Sequence, residues 1–352
     1  MQASMLGKFC AAMGRRRVGT WAWGLLVVAG LALAPAPAAL AAGTLTLYAG
    51  QHQQMVRLLV AAFEKQSGIH VEVRYGEGPE LANQLILEGK RTPADVFFTE
   101  NSPELMRLQE KGLLAPVDKS TLAQIPARYS ADKGDWVGVL ARENVLTYNP
   151  KLIKASELPK SLLDLAKPPW KGKIAIAPPD ADFLPLVRAV AVTKGRAAAL
   201  KWLEGLKRNA QIFNDDEGVA AAVNKGAVAV GVINNYYYYR LRQQVGAAAI
   251  HSRIYHFSNG DVGGLINISG AAVLKYARHP NAAQRLLAFM VGEYAQNLLA
   301  RSTVDFEYPL RPGVAANHAL KPFDQLQPPH ITVSQLGNNS EALALLQQAG
   351  VL

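Results

Sequence analysis

The stretch Val228-Ala229-Val230-Gly231-Val232-Ile233-Asn234-Asn235-Tyr236-Tyr237-Tyr238-Tyr239 sets the reading of the whole chain. A valine-rich apolar run gives way abruptly to two amides and four phenols. Residues 227–233 are too few for a helix and rich in β-branched side chains, so they are expected to form a buried strand. Asn234 or Asn235 suits the N-cap of a helix continuing through Leu241. In open α/β sheets ligands sit beyond the carboxyl ends of strands, so phenols at such a junction either pack into a core or line a crevice.

The same alternation runs through the rest of the chain. Residues 44–48 alternate as a strand and lead into the polar turn Ala49-Gly50-Gln51-His52. Met55, Leu58, Leu59, Ala62 and Phe63 then repeat at helical spacing, and Gly68 is a fitting stop. Strands follow at 69–75 and 95–98, with a helix at 79–87 between them. The third strand ends in Thr99-Glu100, before a helix start at Ser102-Pro103-Glu104 with Ser102 as N-cap. His52 and Glu100 thus each follow a strand and precede a helix, and they share one rim if those strands are parallel neighbours.

Residues 136–148 read as two apolar strands around Ala141-Arg142-Glu143-Asn144. Residues 173–177 and 211–213 are further strands, Asp180 opens onto a helix from about Ala181, and Asp215-Asp216-Glu217 begins the helix leading to the central run. Residues 265–274 read as a strand interrupted by Ser269-Gly270. Helices are expected at 281–291, 293–300 and 341–349. This pattern predicts an α/β fold of two lobes with more than one chain crossing and a ligand cleft between them. The hinge is expected near residues 145–148 and 265–269.

The first 41 residues are expected to be a cleaved signal peptide. Arg15-Arg16-Arg17 precede an almost wholly apolar stretch at 21–33, and Ala39-Leu40-Ala41 supplies a small-x-small cleavage signal. The only cysteine, Cys10, lies in that segment, so the mature chain is expected to have no disulfide, thiolate metal site or cysteine nucleophile. Removing Lys8 and the three arginines lowers Lys+Arg from 37 to 33 against an unchanged 27 Asp+Glu, so the net charge of +10 becomes +6. No basic cluster interleaves with aromatics, which argues against nucleic acid. No GxSxG, HExxH, P-loop or GxGxxG context is present, so enzyme motifs are absent.

Five motifs, in order and with few gaps, resemble the ferric-ion-binding periplasmic proteins of iron ABC transporters, within the family 1 extracellular solute-binding proteins. They are Thr46-Leu47-Tyr48-Ala49-Gly50-Gln51-His52, Thr92-Pro93-Ala94-Asp95-Val96-Phe97-Phe98-Thr99-Glu100, Ile233-Asn234-Asn235-Tyr236-Tyr237, Ser269-Gly270-Ala271-Ala272-Val273-Leu274 and Glu307-Tyr308-Pro309-Leu310-Arg311. The resemblance implies a class II periplasmic-binding-protein fold with a hinge of crossing strands. Residues 42–144 plus 268–317 would form lobe 1, and 145–267 plus 318–352 lobe 2. It implies Fe3+ held by His52, Glu100, Tyr236 and Tyr237, a monomer in the periplasm, and delivery of ferric iron or a ferric complex to an inner-membrane ABC permease. Tyr238 and Tyr239 have no ligand role in the pattern and are expected to pack.

The chemistry of the residues agrees. Oxygen donors suit a small hard cation better than sulfur, and a multivalent cation stabilises phenolate, which is otherwise scarce at neutral pH. Taken singly, His52 reads as a surface histidine and Glu100 as a helix-start carboxylate; it is the coincidence of motifs that raises them. Some members hold a synergistic anion. Around it Asn234 keeps one asparagine and Arg142 matches an arginine that contacts the anion. Asp180 stands at a serine position, Asp216 at an asparagine position, and Phe183 where carbonate-using members carry a tyrosine. Two carboxylates would repel phosphate, so a site without phosphate is expected. Asp180 or Asp216 either supplies oxygen to the iron, or pairs with Arg142 and leaves water on it, or the correspondence shifts by a residue or two here. Both also suit N-caps. The rival readings are a same-fold carrier of another small solute, such as a phosphonate or polyamine, and a metal-dependent hydrolase.

Overall fold

Apolar residues dominate the short segments that alternate with amphipathic helices, and these segments become strands. The structure, a computed structural model, describes residues 44–352; the expected signal peptide at 1–41, with Cys10 and the three arginines, lies outside the described residues. The strands are β1 (Leu45–Gly50), β2 (Val71–Tyr75), β3 (Val96–Thr99), β4 (Val137–Tyr148), β5 (Ile174–Ile176), β6 (Ala210–Ile212), β7 (Val230–Asn234), β8 (Arg253–Tyr255), β9 (Ile266–Val273) and β10 (Tyr308–Pro309). Their order is β2-β1-β3-β9-β4-β7-β5-β6, with β8 and β10 both pairing β4. No helix among the described residues is long and apolar enough to cross a membrane.

β4 joins the two lobes. Its first half, to Glu143, pairs antiparallel with β9; from Asn144 it pairs with β7 instead. β1, β2 and β3 are mutually parallel on one side, as are β5, β6 and β7 on the other. One hydrophobic core gathers Leu47, Val96, Phe97, Trp136 and Leu286, and a second gathers Leu146, Ile174, Leu186, Trp202 and Leu345. The α/β fold of two lobes is therefore as expected. The C-terminal segment serves both cores: Leu320, Leu326 and Val333 pack in the first, and Leu336 with the helix Ser340–Ala349 in the second.

Several expected boundaries differ. Where two strands were expected over residues 136–148, Val137–Tyr148 makes one continuous twelve-residue strand. The Arg142-Glu143-Asn144 run looked like a break because it is polar, yet it lies where the strand passes between the cores and finds polar partners. β9 likewise runs uninterrupted through Ser269-Gly270. A Cβ on Gly270 would meet Leu105 Cδ1 at 2.7 Å, so this glycine reflects close packing rather than a turn. Ser102 is the first helical residue and Asn101 the N-cap.

β4 also crosses close to the segment before it. A Cβ on Gly138 would lie 2.3 Å from the backbone oxygen of Tyr129, and the β4–β9 register shifts between Gly138 and Leu140. Gly138→Ala is expected to destabilise the protein by at least about 1–3 kcal/mol, because backbone rather than a flexible side-chain tip must move. Thermal or urea denaturation checks this; an unchanged midpoint would contradict the close approach.

Candidate functional site

β1 and β3 are parallel neighbours with Gly50 opposite Thr99, and the Glu100 amide donates to the Gly50 carbonyl at 3.1 Å. Their carboxyl ends therefore lie side by side, and His52 and Glu100 leave the same rim. His52 is the N-cap residue of the helix Gln53–Ser67. On the other lobe β7 ends at Asn234, the N-cap of the helix Asn235–Val245, whose first turn carries Tyr236 and Tyr237.

The structure brings these four side chains together. Tyr236 Oη lies 2.8 Å from Glu100 Oε1 and 3.1 Å from Asp182 Oδ2, and Tyr237 Oη lies 3.3 Å from the same Asp182 oxygen. The two phenol rings are 4.1 Å apart, and the His52 ring meets Tyr236 edge-on at 4.9 Å. His52 Nε2 is 3.8 Å from Glu100 Oε1, while Nδ1 faces Asp305 Oδ1 at 3.2 Å. Among the described residues His52, Glu100 and Glu307 each offer an atom within 4.8 Å of the others, close enough to share one metal ion.

Arg142 underlies the cluster and is fully buried. Its Nη1 donates to the Glu100 carbonyl at 2.5 Å and to Ser269 Oγ at 3.0 Å; Nη2 donates to Asn101 Oδ1 at 2.6 Å and Asp182 Oδ1 at 3.1 Å. The Asn101 amide donates to Asp182 Oδ1 at 2.9 Å. Glu307 is fixed by Gln51 Nε2 at 3.1 Å and by the Ser269 hydroxyl, which donates to it at 3.1 Å.

Asp180 and Asp216 are not at the phenols. Asp180 accepts from the backbone amides of Asp182 and Asp216 at 3.0 and 3.1 Å, and Asp216 accepts from the Asn234 amide at 3.2 Å. Neither is an N-cap: Asp182 holds that position before Phe183–Lys194, and Asp215 before Asp216–Lys225. Asn234 accepts from Asn267 at 3.2 Å, and its buried Nδ2 has no hydrogen-bond partner. Tyr239 stacks on Phe306, as packing predicts.

The sequence reading passed over Asp182, Glu307 and Asp305. Glu307 heads one of the quoted motifs and Asp182 lies two residues from Asp180, so both were within view. Two aspartates, Asp180 and Asp182, precede the same helix, and only the packing selects which one meets Arg142.

Electrostatics follow from burial with a surplus of acids. Burial, then the Arg240 and Arg142 charges, lowers His52 to about 3, so its imidazole is neutral near pH 7. Burial followed by the Asp182 and Glu100 charges pushes both phenols well above the ordinary tyrosine value. Burial and then Asp182 raise Glu100, with Arg142 opposing. Glu307 is raised to about 7, chiefly by burial. Burial also works against the charge on Asp182, but Arg142 and the Asn101 amide outweigh it and hold this carboxyl below its usual range. Arg142 itself stays protonated, because Asp182, Glu100 and Glu307 overcome its burial. A neutral imidazole and a convergent set of oxygens make a receptor for a hard, highly charged cation.

A separate groove of about 1470 Å³ lies between β9 and the C-terminal segment, lined by residues such as Tyr129, Ile268 and Pro329, and it shares no residue with this cluster.

Comparison with known proteins gives a consistent picture. Residues 49–297 match the family described as bacterial extracellular solute-binding protein. The Fe(3+)-binding periplasmic protein of Serratia marcescens is 39% identical over 317 residues, covering 90% of this chain and 93% of its own. The major ferric iron-binding protein of Neisseria meningitidis (serogroup A) is 36% identical, over 91% and 97% respectively. Among solved structures, iron-bound HitA from Pseudomonas aeruginosa is 44% identical with a TM-score of 0.83, covering 87% of this chain and 99% of that one. A Trichodesmium protein in complex with iron and citrate is 31% identical with a TM-score of 0.79, over 88% and 99%.

One buried acid beside the site gives a pH test of the structure. Glu104, on the helix Ser102–Glu110, is 3% exposed, its Oε2 has no hydrogen-bond partner, and burial raises it to about 7. The folded state therefore keeps a proton that the unfolded chain releases near 4.5. Its contribution to stability is present at acid pH and is lost as pH rises from about 4.5 to about 7. Glu104→Gln is expected to be more stable than the parent at pH 8, with the gap closing towards pH 4.5, as measured by denaturation across that range. A pH-independent gap would refute the assignment.

Proposed function

The chain belongs to the bacterial extracellular solute-binding proteins, and from that premise we propose that its solute is ferric iron, gripped between the lobes by His52, Glu100, Tyr236 and Tyr237. The observation that carries this reading is the convergence of one imidazole, one carboxylate and two phenols from opposite lobes, with Tyr236 Oη 2.8 Å from Glu100 Oε1. Two phenolates and a carboxylate match a trivalent charge, and neutral imidazole adds a donor without adding charge. The relatives named for ferric iron, and the iron-bound structures among those similar to this chain, support it.

The lobes are proposed as residues 42–144 plus 268–317 and 145–267 plus 318–352, and the partner change of β4 between Glu143 and Asn144 supports a hinge there. Ferric iron, arriving as the ion or as a complex, bridges the cleft and shifts the population to the closed form. The loaded monomer then docks on an inner-membrane ABC permease. This places the mature chain in the periplasm after removal of residues 1–41, as a carrier rather than an enzyme. Arg142 and Asn234 border the cargo, while Asp180 and Asp216 brace the turns behind the phenols.

Ferric citrate added to the purified mature protein is expected to give a visible phenolate-to-iron band. Tyr236→Phe and Tyr237→Phe should each weaken iron binding by more than about 100-fold; unchanged affinity in both would end the proposal. A carrier of another solute would give no such colour.

Both phenols are protonated in the iron-free protein, so each must release its proton as it ligates. Iron affinity is therefore expected to fall steeply as pH is lowered, with proton release measurable in weakly buffered solution. Binding without proton release would contradict phenolate ligation.

A further inference from the structure

We propose that Asp305 is the positioning residue for His52: its carboxylate accepts the proton on Nδ1, so that Nε2 is the nitrogen that meets the cargo. The inference rests on the ferric-iron reading above and deepens it by naming the group that aims the imidazole.

Two buried atoms lack partners at this point. Asp305 is 4% exposed and its Oδ2 has no hydrogen-bond partner; His52 Nδ1 is buried and has none either. They belong to side chains in contact, with Nδ1 3.2 Å from Asp305 Oδ1. That separation is within hydrogen-bonding reach but out of line, so a small rotation of the ring joins them. Unpaired polar groups in the interior are costly, and each of these two offers what the other lacks. Glu307 is the other acid near Nδ1, at 3.9 Å, and its oxygens already accept from Gln51 and from the Ser269 hydroxyl.

An imidazole that ligates a cation through one nitrogen carries its proton on the other, and the acceptor of that proton fixes both the tautomer and the ring angle. With Nδ1 assigned to Asp305, Nε2 is left on the side of Glu100, 3.8 Å from Oε1, where the ring also meets Tyr236 edge-on.

The backbone is strained to hold Asp305 there. The next residue, Phe306, has a φ of 52°. The other non-glycine residues with positive φ among the described residues are Asn259 and Asn339, and asparagine tolerates that region better than an aromatic residue does. The phenol-bearing helix Asn235–Val245 grips this turn: the Asn235 amide donates to the Phe306 carbonyl at 3.1 Å, and Tyr239 stacks on the Phe306 ring at 5.0 Å. Asn235 Oδ1 in turn accepts from the Glu143 amide on β4 at 2.8 Å. The helix that delivers Tyr236 and Tyr237 therefore also clamps the turn that aims Asp305 at His52, and the imidazole is set as the phenols arrive.

The test measures the ferric-iron affinity of the purified mature chain by citrate competition against the visible band, in the parent, Asp305→Ala, His52→Ala and the double variant. Asp305→Ala is expected to weaken binding on the order of 10- to 100-fold in the parent, and to change it by no more than about 2-fold once His52 is alanine. Asp305→Asn, whose carboxamide oxygen still accepts from Nδ1, should recover part of the loss. Equal losses in both backgrounds, or an unchanged affinity in Asp305→Ala, overturn the proposal while the ferric-iron reading stands. A parent chain that shows no visible band with ferric citrate removes both. A second measurement depends on no variant: in the parent loaded with gallium(III), a diamagnetic trivalent ion, long-range nitrogen–proton NMR spectra should show His52 protonated at Nδ1 and ligated through Nε2. Ligation through Nδ1 overturns the proposal.

Discussion

The buried guanidinium of Arg142 is the contact on which the arrangement of the cleft depends. It projects from β4, the strand shared by both lobes, and ties together Glu100 and Asn101 after β3, Ser269 on β9, and Asp182 at the head of a helix in the second lobe. A desolvated charge is tolerable only when paired and hydrogen-bonded, and removing one partner of such a pair leaves an uncompensated charge in the interior. The requirement to satisfy Arg142 therefore fixes the backbone at Glu100 and the carboxylate of Asp182 at once. The phenols fall into place against those two acids.

Around this one cation the fold gathers more acids than it neutralises. Glu100, Asp182 and Glu307 are close to it, with Asp305, Asp180 and Asp216 just beyond. Burial, reinforced by neighbouring like charges, keeps protons on Glu307 and both phenols, whereas Asp182, in direct contact with the guanidinium, is the exception. Such a surplus is a liability to an unloaded protein and a receptor for a multivalent cation. A bound cation resolves the repulsion it was built around, and by mass action it stabilises the conformation that binds it.

The placement of the metal-capable residues follows from strand ends rather than from strand interiors. β1 and β3 lie parallel, so their carboxyl ends share a rim, and a Cβ on Gly50 would sit 2.7 Å from Gly78 Cα, so no side chain fits at the end of β1. Beyond that glycine the chain turns and His52 is the next side chain but one. The helix that starts at Asn235 places consecutive tyrosines in its first turn, where rings only 4.1 Å apart can present both hydroxyls to one carboxylate.

The chain itself determined the α/β alternation, the strand that ends in Asn234, the two tyrosines after it, and the placing of His52 and Glu100 each between a strand and a helix. Those features are local, set by apolar periodicity, β-branched content and helix-start residues. Tertiary structure decided that Arg142-Glu143-Asn144 is the middle of a strand, because its polar side chains find partners between two cores. It also decided that Asp182, and not Asp180 or Asp216, meets the phenols, and that Glu307 joins His52 from more than 250 residues away. Neighbouring aspartates before a helix look alike in sequence, and what separates them is which one the packing aims at a buried guanidinium.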